Sequence, residues 1–372
     1  MPFDVAIAPA PSRGLRLTRR PAPRAVAAWL FVICGMLLVM VSLGGATRLT
    51  GSGLSIMEWA PLMGALPPLS DAEWQRLYAL YQQIPQYSLV NQGFGIEGFK
   101  GIFWLEWGHR LWGRLIGLAF LLPLLWFAAR GTIDGRLARR LGLLFLLGGL
   151  QGAIGWFMVA SGFAADSTTV SPYRLVIHLT MALLLYSVIF WTALGLWRDG
   201  AGAPAQPATA PPALRRLSVA VLHLVALTVV AGGFVAGMRA GFTYNTFPLM
   251  DGRLVPEGYW AMQSGLRNLA ENIAAVQFNH RLLASLTALL ALGTVAYGLR
   301  AGVRGVLRTW LLLLGGAVLA QYALGVTTLL WVVPVSLGTA HQAMAVLVLT
   351  AALALVHVQA RRAMPLPRQA AG

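Results

Sequence analysis

Long apolar runs alternate along the chain with short arginine-bearing segments and two longer mixed ones. Eight of the runs, at roughly 26–46, 108–129, 141–160, 175–197, 217–238, 281–299, 309–331 and 339–358, reach the ~20 residues a helix needs to cross the hydrocarbon layer. Lipid offers no partner to an exposed N–H or C=O, so each run must satisfy its backbone internally, as an α-helix. The pattern predicts an all-α membrane protein of eight transmembrane helices. Composition agrees: 58% of the 372 residues are hydrophobic, 11% are charged and the mean hydropathy is +0.69, more apolar surface than a soluble domain of this length could hide.

Charge changes the picture through its distribution. A net +16 gathered in one patch would suit nucleic acid. Instead Arg13, Arg16, Arg19, Arg20 and Arg24 precede the first run; Arg130, Arg136, Arg139 and Arg140 follow the second; Arg198, Arg215 and Arg216 follow the fourth; Arg300, Arg304 and Arg308 follow the sixth; Arg361, Arg362 and Arg368 follow the last. These are 18 of the 28 basic residues, all on one face, against Asp4, Asp134 and Asp199. By the positive-inside rule both termini are cytoplasmic, in the cell inner membrane, with the lipid bilayer and no nucleic acid as partner. The first run is longer than a secretory h-region and no small-residue cleavage site closes it, so it stays as a helix. The single cysteine, Cys34, lies within it, leaving neither a disulfide nor a cysteine metal site to be built within one chain.

Residues 1–25 are rich in Pro and Arg and read as a disordered cytoplasmic tail, 200–213 as a flexible cytoplasmic linker and 361–372 as a second tail. The linker separates an N-terminal half, 26–199, from a C-terminal half, 214–360. The halves are weakly similar. Gly44-Gly45 with Arg48 ends the first run as Gly232-Gly233 with Arg239 ends the fifth. EWGHR around His109 opens the second as QFNHR around His280 opens the sixth. Gln151 lies in the third where Gln321 lies in the seventh, and His178 opens the fourth as His341 opens the eighth. Four spans return a chain to its starting side, so the reading is two repeated four-helix bundles related by a pseudo-twofold along the membrane normal. Of the long outer segments, 47–107 and 239–280, the first holds a capping box, Ser70 to Glu73, and predicts a surface helix.

Candidate chemistry rests on histidine. Of six, His109, His178, His280 and His341 open the even-numbered spans, which all run the same way, so their imidazoles share one shallow depth near the outer face. Two histidines from facing helices can supply both axial ligands of a haem iron. Zinc is disfavoured, since no cysteine and few carboxylates would complete its shell. His223 and His357 lack such partners and read as structural. Arg110 and Arg281 each follow a candidate ligand, where a guanidinium suits a haem propionate or simply snorkels to the interface. Glu106, three residues before His109, shares its side of the helix, whereas the second half has Gln277. That asymmetry suggests one reactive and one supporting site. The segments RLTGSGLS from Arg48 and NQGFGIEGFKGIFW from Asn91 flank the same mouth, and neither has the spacing of a phosphate-binding loop.

Together RLTGSGLSIMEWAP (48–61), EGFKGIFWLEWGHR (97–110), FNHR (278–281) and the helix-opening His178 and His341 resemble the haem A synthase family over nearly all of 26–358. The family converts haem O to haem A for cytochrome oxidase. The resemblance implies that His280 and His341 bind a resident haem b, and that His109 and His178 frame the substrate haem O with Glu106 near its reacting edge. It implies two successive oxidations of one ring methyl to a formyl group, a haem O synthase as substrate donor and a separate electron acceptor. A homo-oligomer is left open. The outer-loop cysteine pair of one branch is absent, so the likeness is to the proteobacterial and mitochondrial branch, without a thiol relay. A bis-histidine di-haem electron carrier, a quinol-linked cytochrome b, is the alternative, and the Glu106 to Gln277 asymmetry counts against it. A transporter would need mid-span charges that the runs lack.

Overall fold

Each apolar run forms a helix that extends past the hydropathy-based boundary at one end or both. The computed structural model describes residues 23–61, 63–200 and 210–360. In chain order the α-helices are α1 (Pro23–Leu49), α2 (Asp71–Tyr81), α3 (Pro85–Leu89), α4 (Gly95–Ala129), α5 (Gly135–Val159), α6 (Pro172–Gly200), α7 (Pro212–Gly237), α8 (Asn268–Glu271), α9 (Ile273–Arg300), α10 (Gly305–Leu330) and α11 (Val335–Gln359). Eight of them, all but α2, α3 and α8, are long and apolar enough to span a membrane. Among the described residues extended pairing is limited to the isolated bridge between Met250 and Arg253.

Most expected boundaries hold to within a few residues; α9 begins earlier than its run, at Ile273, and the largest departure is α4. It starts at Gly95, a dozen residues before its apolar run, because Phe99, Ile102 and Phe103 are buried against Trp74, Leu77 and Tyr81 of α2 and against Leu54. The expected surface helix is α2, with the Ser70 hydroxyl accepting from the Glu73 N–H at 3.3 Å. Helix α1 begins at Pro23, so the last residues assigned to the N-terminal tail are helical, as are both ends of the presumed linker, Gly200 and Pro212–Ala213. The tail before Pro23, residues 201–209 of the linker and the C-terminal tail lie outside the described residues.

The spans pack in two closed rings. In the first, α1 touches α4, α4 touches α5, α5 touches α6, and α6 returns to α1. The second runs α7, α9, α10, α11 and back to α7. The rings meet where α1 lies on α11 and α6 on α7, with α6 also against α11. Leu30, Ile33, Leu141, Leu214, Leu311, Leu314 and Leu355 are fully buried. Hydrogen bonds add adhesion between helices where lipid contributes no hydrophobic drive: the Tyr186 and Thr350 hydroxyls at 2.6 Å, those of Thr228 and Thr287 at 2.7 Å, and the Gln342 amide donating to the Val41 carbonyl at 3.0 Å. The connections 50–94, 160–171, 238–272 and 331–334 share one side, the loop face.

Candidate paired-histidine centres

The ring topology places the four expected histidines on diagonals. His109 on α4 stands across the first ring from His178 on α6, and His280 on α9 stands across the second from His341 on α11. All four side chains are half-buried within the bundle. Each also faces a glycine on a neighbouring helix. A methyl group on Gly44 of α1 would stand 3.1 Å from Nε2 of His109, and one on Gly155 of α5 would stand 2.9 Å from Cε1 of His178. In the second half a methyl on Gly232 of α7 would stand 2.9 Å from Cε1 of His280, and one on Gly325 of α10 would stand 2.8 Å from Cε1 of His341. The four glycines leave the imidazoles room to stand flat against the bundle wall.

Second partners set the ring orientations. Nδ1 of His280 donates to the Thr228 carbonyl at 3.2 Å, a bond that leaves Nε2 with its lone pair, as in metal-ligating histidines. Gln151 on α5 donates to the His178 carbonyl at 2.8 Å and lies 3.1 Å from Nδ1 of the same residue. Gln321 on α10 lies 3.5 Å from Nε2 of His341. Oε1 of both glutamines and Nδ1 of His341 are buried without a partner. An amide serves either way round: with its oxygen toward the ring it accepts an imidazole N–H and frees the opposite nitrogen. The sequence reading paired these glutamines as repeat positions and gave them no role. Their matched places on α5 and α10, each the span before a histidine-bearing one, are the signal the sequence offers.

The residues next to the histidines are committed elsewhere. Glu106 is 2% exposed, and its carboxylate is fully engaged. Oε2 accepts from the Ser55 hydroxyl at 2.7 Å and the Ile56 N–H at 2.9 Å; Oε1 accepts from Arg110 at 2.6 and 3.1 Å. Arg110 also donates to the carbonyls of Ile56 (2.8 Å) and Glu58 (2.9 Å). The second half repeats the motif in neutral form. Gln277 donates to the Ala240 carbonyl at 2.8 Å, and Arg281 bonds Gln277 Oε1 and the carbonyls of Tyr244 and Thr246. Glu106 is thus bonded to the loop that follows α1 and to Arg110. Arg110 and Arg281 clamp loop carbonyls, although Nε of Arg281 has no partner. The first half adds an aromatic wall: Trp156, next to Gly155, stacks on Trp59 at 6.3 Å and 13°, with the Arg110 guanidinium 5.5 Å from its ring.

His223 is exposed and bonded to its own helix, and His357 is buried against Trp191 at 4.7 Å, so neither joins a pair. Among the described residues no three His, Cys, Asp or Glu side chains gather closely enough to hold a bare metal ion. Two imidazoles per half, flanked by glycine, fit a metal that brings its own equatorial macrocycle. Comparison with known proteins gives the same direction. A family model described as cytochrome oxidase assembly protein matches residues 27–353. The chain is 63% identical to the haem A synthase of Granulibacter bethesdensis, covering 89% of this chain and 86% of that one. It is 53% identical to the haem A synthase of Rhodospirillum centenum, over 89% and 87%, and 49% identical to that of Azorhizobium caulinodans, over 89% and 93%.

Proposed function

This chain belongs to the cytochrome oxidase assembly family that includes the haem A synthases, and on that premise we propose how its two histidine pairs divide the work of making haem A from haem O. His109 and His178 hold the substrate, haem O, while His280 and His341 hold a resident haem b. The reaction is the oxidation of one ring methyl to a formyl group in two successive steps, which makes the enzyme an oxidoreductase acting on a CH group. The observation that carries the reading is the diagonal pairing of imidazoles in each ring, every one opposed by a glycine.

The side chains have separable tasks. His109 and His178 orient the macrocycle so that the same edge is always presented, which is the positional part of catalysis. Gln151 fixes the ring of His178. Glu106 acts as a positioning residue: its four hydrogen bonds tie Arg110 and residues 55–58 over the first pair, and Gln277 does the equivalent over the second without a charge. Trp156 and Trp59 wall the first half on the loop face. In the second half the Thr228 carbonyl holds the His280 tautomer that presents Nε2. Haem b, when bound there, supplies a one-electron redox centre. A substrate this apolar reaches the bundle from the bilayer, so a site between spans admits it without passage through water.

The contact scheme supports a repeat. Exchanging the halves maps the α1 to α11 contact onto that of α7 with α6, and leaves the α6 to α11 contact in place, as a pseudo-twofold along the membrane normal requires. We place the multi-pass protein in the cell inner membrane with both termini cytoplasmic and the histidines toward the outer face, from the arginine distribution. A haem O synthase as donor and an external electron acceptor are the partners this chemistry needs. The test is extraction and chromatography of the haems from purified protein. Haem b accompanied by haem O or haem A is expected; haem b alone, at two per chain, would instead identify an electron carrier.

A further inference from the structure

Arg48 and Arg239 close the first helix of each half, and the fold brings them together at the seam between the rings on the loop face. Nη1 of Arg48 donates across the seam to the Ala236 carbonyl at 2.8 Å, and the positive charge of Arg239 bears directly upon it. Both side chains line one cleft with Gly51, Gln86, Thr168 and Thr169. That cleft shares Gly51, Gln86, Thr168 and Arg239 with a cavity of about 170 Å³ that also reaches Thr50 and Asn91.

Among the described residues neither arginine has a carboxylate partner, whereas Arg76, Arg110, Arg253 and Arg267 each do. The Arg239 guanidinium has no hydrogen-bond partner among them at all. Its backbone is held at φ +54°, a left-handed conformation that non-glycine residues seldom adopt and that persists where surrounding structure enforces it. Two like charges lining one cleft repel, and an anion seated between them relieves that repulsion. The amide of Gln86 is already engaged with the Gly51 carbonyl and the Tyr81 hydroxyl, and the guanidinium groups are the charged donors lining the cleft beside Thr168 and Thr169.

We propose that Arg48 and Arg239 form an oxyanion seat between the two halves, taking a carboxylate or phosphate group at the seam. Arg48 lies one helical turn beyond Gly44, the glycine facing His109, which puts the carboxylates of a bound tetrapyrrole within range. That source rests on the haem reading above; a lipid headgroup or free phosphate does not. The seat also answers a question left by Arg110 and Arg281, whose donors are turned to loop carbonyls.

The experiment uses the full-length protein in phosphatidylcholine nanodiscs, unaltered and as R239Q, a change at an exposed side chain. Three probes are compared: iron protoporphyrin as the free diacid against its dimethyl ester, retention of phosphatidylglycerol by native mass spectrometry, and inorganic phosphate by ³¹P NMR titration. R239Q is expected to weaken at least one probe about tenfold, as loss of one charge-assisted contact does. A lost preference for the diacid identifies a tetrapyrrole carboxylate, lost lipid retention a headgroup, and a lost phosphate titration a free anion. R239Q equal to the unaltered protein with all three probes overturns the seat. If neither porphyrin binds either protein, the haem reading fails while the two phosphate probes still decide the seat.

Discussion

At each histidine the deciding partner is a residue with no side chain. A Cβ at Gly325 would lie 2.8 Å from Cε1 of His341, closer than real contacts allow, so any larger residue must drive the ring off its station. Gly325→Val is therefore expected to abolish the haem b signal in a reduced-minus-oxidised spectrum while helix content by circular dichroism is unchanged. Overpacking of this kind costs about 1–3 kcal/mol locally. Gly316→Ala, where nothing lies within 4 Å, serves as the control and should leave the spectrum intact. Retained haem b in Gly325→Val would mean that His341 is not a ligand. The histidines were legible in the sequence because four of them recur at matched helix starts. Gly155 and Gly325 were not, since glycine is common in membrane helices and only packing reveals which one faces a ring.

Helices, too, were legible where lipid dictates them and illegible where protein does. Hydropathy found all eight spans, yet missed the first dozen residues of α4, because their burial is against α2 rather than against the bilayer. The same extramembrane packing sets the partners of Glu106. Helical spacing put it on the histidine side, but the loop after α1 folds back and supplies Ser55 and Ile56 as closer partners. Glu106→Gln removes the charge and sets an NH₂ group against at least one donor, which costs roughly 2–4 kcal/mol of loop anchoring. Slower conversion of haem O with haem b content unchanged is the expected result, measured by chromatography of extracted haems; loss of haem b would refute the division between the halves. The loop has a second anchor that responds to acid. Arg76 bonds Glu58 at 2.8 and 2.9 Å and Glu73 at 2.8 and 3.0 Å, and these bonds hold both carboxyls below their ordinary value of 4.5. Groups with lowered pKa stabilise the fold above their unfolded value and cease to do so as pH falls through the folded one. The grip of α2 on Glu58 should therefore persist at neutral pH and loosen only below 4.5. Pepsin cleavage within residues 58–82 should rise as the pH is lowered through that range, and Arg76→Ala should be cleaved readily even at its upper end.

At the scale of the molecule, the two rings repeat a contact scheme while differing in charge around their centres, and that difference makes their roles experimentally separable. The first half carries the ion pair of Glu106 with Arg110 and the Trp59 and Trp156 stack; the second carries neutral Gln277 with Arg281. If the second ring holds a redox centre that serves the first, removing its ligand leaves the substrate pair assembled, because α9 and α4 belong to different rings. His280→Ala should then lose haem b and product formation together while haem O still co-purifies with the protein. His109→Ala should lose haem O binding and keep the haem b spectrum. The pair of variants discriminates where either alone would not, since a general folding defect would remove both haems in both proteins. Undiminished turnover in His280→Ala would show that the second ring is not needed for the chemistry. Matched histidines, glycines and glutamines in the two halves are visible in the sequence. The diagonal placement, which turns those matches into two facing pairs, follows from how each ring closes and needed the fold.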